Sequence, residues 1–442
     1  MKIQLSDHFN YKKLLRFTLP SIIMMIFTSI YGVVDGFFVS NFVGKTSFAA
    51  VNFIMPFLMI LGAFGFMFGT GGSALIAITM GAGNQEKAKK LFSLLIYVSG
   101  SFGIVIGILG ILLLRPIAAL LGAEGTMLED CVLYGRIILI ALPAYMLQFE
   151  FQSFFTTAEK PQLGLAVTVA AGFTNIILDA VFVAGLKWGL AGAAAATALS
   201  QAVGGIIPLI YFFRPNSSTL RLTKTTFDGK AILKTCTNGS SELMSNISMS
   251  IVGMLYNLQL MKYAGEDGVA AYGVLMYVNF TFLSAFIGYS VGTAPIVGYH
   301  YGAGNHKELK GLLQKSLVLI GVFSVSMLVL SELLAKPLSI LFVGYDKGLL
   351  DLTLRGFFIY SFSFLFAGIA IYGSSFFTAL GNGLISALIS FLRTLLFQLA
   401  AVLIFPIFWE IDGIWMSIVA AELMAAMVTI LFLLRMRRKY HY

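Results

Sequence analysis

The chain has 442 residues, of which 58% are hydrophobic and 11% charged, with a mean hydropathy of +0.90 and a formal net charge of +9. This composition excludes a soluble globular domain and defines an integral membrane protein. The positive charge invites a nucleic-acid reading, but where the basic residues fall removes it.

A helix needs about 20 apolar residues to cross the hydrocarbon, and twelve such runs fill the chain. They are predicted at 14–40, 49–80, 91–114, 132–157, 161–184, 189–213, 238–261, 269–300, 312–335, 353–379, 384–408 and 413–435. The first follows Lys12, Lys13 and Arg16, but it is too long for a signal-peptide core and lacks a small-residue cleavage site, so it counts as span 1. Of the 29 Lys and Arg residues, 20 lie in the N-terminus, alternate loops and the C-terminus. The opposite loops hold six: Lys45, Arg115, Lys187, Lys262, Lys336 and Lys347. By the positive-inside rule both termini are expected in the cytoplasm, with the chain in a bacterial-type inner membrane. The basicity is topological and implies no nucleic-acid partner. Cys131 and Cys236 fall on opposite sides and are not expected to pair.

Sliding the sequence on itself by 221 positions superimposes Gly81-Ala-Gly-Asn84 on Gly302-Ala-Gly-Asn305, Gly71 on Gly292, and Arg115-Pro116 on Lys336-Pro337. Each half has an even number of spans, so the repeats are parallel, related by an axis along the membrane normal. The expected fold is all-α: two six-helix lobes with pseudo-twofold symmetry around a central cleft. The lobes are 1–213 and 238–442, joined by a cytoplasmic linker at 214–237. Spans 2 and 8 exceed bilayer length and carry Gly69-Thr-Gly-Gly72 and Val291-Gly-Thr293 at matching places, so tilt or a break is expected there. Gly32 and Gly36 bracket Asp35 and would admit a neighbouring helix close to it.

Asp35 is the most informative residue. An ionised Asp at a helix centre costs roughly 2.5–3.5 kcal/mol on insertion scales, so it needs a partner or a watery cavity. Asp179 in span 5 and Thr197 in span 6 lie at similar depth in the outer half. Asn175 precedes Asp179 by one turn and shares its face, and Gln201 follows Thr197 by one turn. If spans 1, 5 and 6 touch, two carboxylates, a carboxamide and a hydroxyl meet as a cation site. Such oxygens can hold Na⁺, and two neighbouring buried carboxylates can equally share a proton. The second lobe places Tyr256 opposite Asp35, so the ion chemistry is one-sided.

Other polar residues carry weaker expectations. Glu242 lies near the start of span 7, and Glu150, among Gln148, Gln152 and Ser153, is placed in a cytoplasmic vestibule or snorkelling to its surface. Glu422 and Arg393 are expected to pair structurally. Pro20 removes one hydrogen bond of span 1 and is a candidate hinge. Phe149, Phe151, Phe154 and Phe155 are pocket candidates for flat organic cations. Gly288-Tyr-Ser-Val-Gly292 matches a hydrolase elbow but lies inside a helix, and no Walker loop or H-E-x-x-H is present. Neither an enzyme nor a bound cofactor is expected.

Gly-Ala-Gly-Asn after spans 2 and 8, Val-Asp-Gly-Phe-Phe-Val in span 1, Asn175-Ile-Ile-Leu-Asp179 and Gly192-Ala-Ala-Ala-Ala-Thr197 together resemble the multidrug and toxic compound extrusion (MATE) family over almost the full chain. The resemblance implies a monomeric secondary antiporter that exports small organic, cationic aromatic compounds in exchange for H⁺ or Na⁺. The ion would bind Asp35, Asn175, Asp179 and Thr197, and Pro20 would sit at the bend of span 1. Where the NorM-like branch has a glutamate deep in span 7, this chain reads Ser248-Met249-Ser250, which points to the DinF-like or MepA-like branch. The rival is a lipid-linked oligosaccharide flippase of the same superfamily. It shares the two-lobe plan but often carries extra helices and a basic cavity.

Overall fold

The computed structural model describes residues 3–442, apart from the side chains of Val33, Ser40 and Lys45. The side chain of Lys45, one of the expected outer-loop cations, therefore lies outside the described residues. The protein is helical throughout, in the order α1 (Tyr11–Phe38), α2 (Lys45–Gly81), α3 (Gln85–Leu120), α4 (Gly125–Ile140), α5 (Leu142–Thr157), α6 (Pro161–Asp179) and α7 (Gly189–Phe213). The chain then continues with α8 (Gly229–Gly302), α9 (His306–Val343), α10 (Lys347–Tyr360), α11 (Phe364–Ala379), α12 (Gly383–Phe391) and α13 (Phe397–Tyr440). Turns and caps stop the helices where the sequence supplies them. Asn84, Asn305 and Asn382 each accept an amide from the first turn of the helix they precede.

Among the described residues nine helical stretches are long and apolar enough to span a membrane, or ten when α4 and α5, bent by 57° at Ala141, form one span. Two of the nine are far too long for one crossing. Straight, the 74 residues of α8 would reach roughly 110 Å. Its helix is interrupted at Gly265 (φ 62°, ψ −151°), and α13 is interrupted likewise at Glu410 (φ 48°, ψ −125°). A glycine tolerates that backbone freely, whereas Glu410 adopts it at an exposed position.

Of the expected tilt or break, no break occurs: α2 runs unbroken from Lys45 to Gly81, and α8 is helical through Val291–Thr293. The interruption of α8 at Gly265 falls between the expected spans 7 and 8. The glycines serve a different purpose, allowing α1 and α2 to meet α8 backbone to backbone. A β-carbon on Gly81 would lie 1.9 Å from the Tyr299 carbonyl oxygen, and one on Gly302 would lie 2.0 Å from that of Ile78. A β-carbon on Gly71 would come within 2.1 Å of the Thr235 oxygen, while one on Gly292 would meet Thr18 at 3.0 Å. Residues 78 and 299, and likewise 81 and 302, are 221 apart, so one contact is made twice.

These contacts lie toward the face that carries the chain termini. Towards the other face the repeat-related glycines make no such contact. Gly32 and Gly253, also 221 apart, would each accept a β-carbon with nothing within 4 Å. The apolar cores follow this geometry. One cluster includes residues of both halves, from Leu5 to Tyr442, while a second is confined to the latter half, from Val252 to Ile418. The N-terminal segment lies across the joined face. Leu5 donates its amide to Glu159 at 2.8 Å, and Phe9 donates to Glu308 at 2.9 Å.

Candidate functional site

The close approach of α1 and α6 depends on Gly172. A β-carbon there would lie 2.4 Å from the Phe27 ring and 3.0 Å from the Tyr31 ring, so a larger residue would separate the two helices. One turn further along α6 comes Asn175, then Asp179. The glycines bracketing Asp35 have no such role, contrary to expectation. Gly32 touches nothing within 4 Å, and Gly36 meets only Phe48, at 3.9 Å.

Both acids sit where a helix changes its winding. Asp35 lies four residues before the π-helical turn Val39–Val43, and Asp179 directly precedes a second one, Ala180–Gly185. These wide turns are in contact with one another. Single π-turns are rare and recur at functional sites because they redirect side chains without ending a helix.

The structure brings Asp35, Asn175, Asp179 and Thr197 into one cluster. Asn175 donates Nδ2–H to the Thr197 hydroxyl at 3.4 Å, and that hydroxyl donates to Asp35 Oδ1 at 3.3 Å. The Asp179 carboxyl lies beside that of Asp35. Asp179 and Asn175 are buried, at 0% and 2% exposure, whereas Asp35 and Thr197 are half-buried. Neither acid has a salt-bridge partner among the described residues. Both Asp179 oxygens and Asn175 Oδ1 are buried without a hydrogen-bond donor among the described residues. Two ionised carboxylates can only accept hydrogen bonds, so a proton or a cation between them satisfies atoms that the protein leaves open. The donor set is all oxygen plus one amide, the chemistry of a hard cation.

Tyr134 on α4 is buried near Thr197, its phenol oxygen without a hydrogen-bond partner among the described residues. Nothing in the sequence singles it out, because one tyrosine among eighteen in an apolar chain is unremarkable until the fold places it.

The remaining expected residues lie elsewhere. Gln201 is buried on α7, with Oε1 unpartnered among the described residues. Pro20 lies inside α1, which continues through it as helix. Glu242 is half-buried on α8, with Arg393 as a neighbouring charge. Glu150 corrects the snorkelling expectation. It is fully buried, with its backbone against Gly69 of α2 and its carboxyl beside Ser99 of α3. The reason is rotational: it faces into the first half, and no side chain of its length reaches solvent from there. Tyr256 likewise lies inside the second half at 1% exposure and not on a cleft wall, donating its phenol to Gln398 at 2.7 Å and stacking on Tyr272. Phe151, Phe154 and Phe155 are core residues, and Phe149 stacks on Phe66 at 3.9 Å. Arg393 and Glu422 pair as expected, with Nε donating to both carboxylate oxygens at 3.1 and 2.8 Å.

The MatE family profile matches residues 20–181 and again 243–404, so this chain belongs to the MATE family of membrane transporters and is not an enzyme. It is 25% identical to the multidrug export protein MepA of Staphylococcus saprophyticus, with 97% of this chain and 94% of the relative covered. It is 29% identical to the MepA of Staphylococcus haemolyticus over 72% of the chain and 71% of that protein. Among solved structures, an outward-facing MATE family multidrug resistance transporter of the MOP superfamily superposes with a TM-score of 0.92 at 24% identity. That match covers 99% of this chain and 97% of the other.

Proposed function

We propose that this protein is a secondary antiporter that exports small organic cations in exchange for H⁺ or Na⁺, with the ion bound in the first lobe. The observation that carries this reading is the meeting of Asp35, Asn175, Asp179 and Thr197, with oxygens left open between the acids. The second half offers no equivalent charge at the repeat position, because Tyr256 is hydrogen-bonded to Gln398, and Glu422 is already neutralised by Arg393. Half-buried Glu242 is our candidate for contact with a cationic substrate. The MepA relatives, named for multidrug export, support the substrate class.

In this reading there are twelve spans. Gly265 and Glu410 each separate two, and α4 with α5 makes one, giving lobes at 1–213 and 238–442 with both termini cytoplasmic. The repeated glycine contacts and the double family match support the two-lobe plan. The joined, terminus-bearing face is then the closed side and the Asp35 cluster opens outward. Coupling requires only that ion and substrate favour different states.

The test is ethidium efflux from proteoliposomes under separately imposed proton and sodium gradients, with Asp35→Asn in parallel. Export driven by one gradient and lost in the variant supports the assignment and names the ion. Wild-type export by Asp35→Asn overturns the site, and gradient-independent behaviour of a folded protein favours the lipid-linked flippase.

A further inference from the structure

A small polar cavity lies between α5, α6 and α7, inside the first half. Thr168 of α6 precedes Asn175 by seven residues, and Gly204 of α7 follows Thr197 by seven. Seven residues are two helical turns, so both lie on the faces that carry the cluster residues and roughly 10 Å from them along their helices. Gln148 and Gln152, one turn apart on α5, complete the polar lining. The cavity measures about 10 Å³, the room that a single water molecule needs.

Its polar atoms are open. Gln148 and Gln152 are each 3% exposed, and Gln148 Oε1 and both amide atoms of Gln152 have no hydrogen-bond partner among the described residues. Burying such groups without a bond is costly. The backbone adds another acceptor. Helix α7 continues through Pro208, which has no N–H, so the Gly204 carbonyl lacks the donor that a helix supplies four residues on. Gly204 also admits the amide, since a β-carbon there would lie 2.5 Å from Gln148 Cδ.

These groups specify their ligand. Gln148 Oε1, Gln152 Oε1 and the Gly204 carbonyl each need a donor, while Gln152 Nε2 needs an acceptor, and exchanging the two amide atoms of Gln152 leaves that requirement unchanged. A cation would leave Nε2 unbonded, and no Asp or Glu lines the cavity to balance its charge. An organic molecule is too large. We propose that the cavity binds one water molecule, which accepts from Gln152 and donates to two of the three open oxygens. It ties α5 to the two helices that carry Asn175, Asp179 and Thr197, which makes Gln152 a positioning residue for the ion site. The positioning role rests on the proposed ion coupling, whereas the water site does not.

The test is a structure of the full-length protein in lipid nanodiscs, at a resolution that shows buried waters elsewhere in the chain, with ion-dependent efflux measured in parallel. The wild type is expected to show one density peak at about 3 Å from the Gln148 and Gln152 amides. No peak overturns the proposal, and a peak at metal–oxygen distances of about 2.4 Å overturns it in favour of a cation. Gln152→Leu, which removes both open amide atoms at similar volume, should lose the peak and weaken apparent ion affinity about tenfold at unchanged maximal rate. Gln152→Asn keeps the amide, and should keep the peak and an affinity within about twofold of wild type. A peak that survives Gln152→Leu overturns the water site. A lost peak with unchanged affinity, or equal loss of affinity in the Leu and Asn variants, overturns the positioning role. Wild-type transport without ion dependence overturns the antiport reading and the positioning role with it, while the density still decides the water. Should Gln152→Leu not fold, Gln148→Leu makes the same test from the neighbouring amide.

Discussion

Gly302 rests on the backbone carbonyl of Ile78, so closely that a β-carbon would come within 2.0 Å of the oxygen, and 221 residues earlier Gly81 rests in the same way on Tyr299. The two halves thus meet backbone to backbone at these two points, beside side-chain contacts such as Thr18 against Gly292 and the Phe9 amide on Glu308.

Gly302→Ala is therefore expected to destabilise the closed arrangement by about 1–3 kcal/mol, the usual cost of overpacking. Gly100→Ala is the control, because a β-carbon there meets nothing within 4 Å and should stabilise the helix by roughly 0.5–1 kcal/mol. Thermal unfolding in detergent reads both. Equal melting temperatures for the two variants would remove the close-packing argument.

Thr197 both accepts from Asn175 and donates to Asp35, so its hydroxyl and not its size should matter. Thr197→Val is expected to weaken apparent affinity for the coupling ion about tenfold, the size of one net hydrogen bond to a charged group. Thr197→Ser should stay within about twofold of wild type on the same grounds. Ion-dependent efflux rates, measured as a function of ion concentration, separate affinity from maximal rate. An inactive Thr197→Ser would show that the methyl group packs something essential.

Glu308 takes the Phe9 amide on one oxygen at 2.9 Å and the His8 ring on the other at 2.6 Å, while Lys315 donates to the Phe9 carbonyl at 2.6 Å. This ties the N-terminal segment to α9, and Leu5 ties it to Glu159 in the turn that follows α5. Glu308→Ala should raise amide hydrogen exchange of residues 5–9 by about tenfold or more, since the lost contacts are worth about 1–3 kcal/mol. Unchanged exchange would mean that the buried side chains of Leu5 and Phe9 suffice to hold the segment.

The Arg393–Glu422 pair is buried, with side-chain exposures of 14% and 6%. Arg393→Leu alone should cost about 3–5 kcal/mol by leaving a carboxylate without its partner, whereas Arg393→Leu/Glu422→Leu should recover most of that loss. Unfolding measurements on the two singles and the double close the cycle. A double variant as unstable as the single would assign the cost to packing. Transport by the double variant should persist, because the proposed ion site lies in the other half.

Whatever depends on composition and on rarity was legible along the chain. Long apolar runs can only be membrane helices, the 221-residue repeat implies two related halves, and an acid such as Asp35 in an apolar helix cannot be incidental. Asn175 and Asp179 could be paired because helical spacing puts residues four apart on one face. Whatever depends on helix rotation and proximity had to await the packed molecule. Glu150 is expected at a vestibule or snorkelling to its surface, yet it faces a sealed interior, while Asp35 is half-buried in the cluster. Tyr134 comes to lie near Thr197, and Gly71 becomes a contact rather than a break, because of which helix lies opposite. An apolar helix buries residues on every side, against lipid or protein, so hydrophobic pattern carries little information about rotation; only the packing of neighbours settles it.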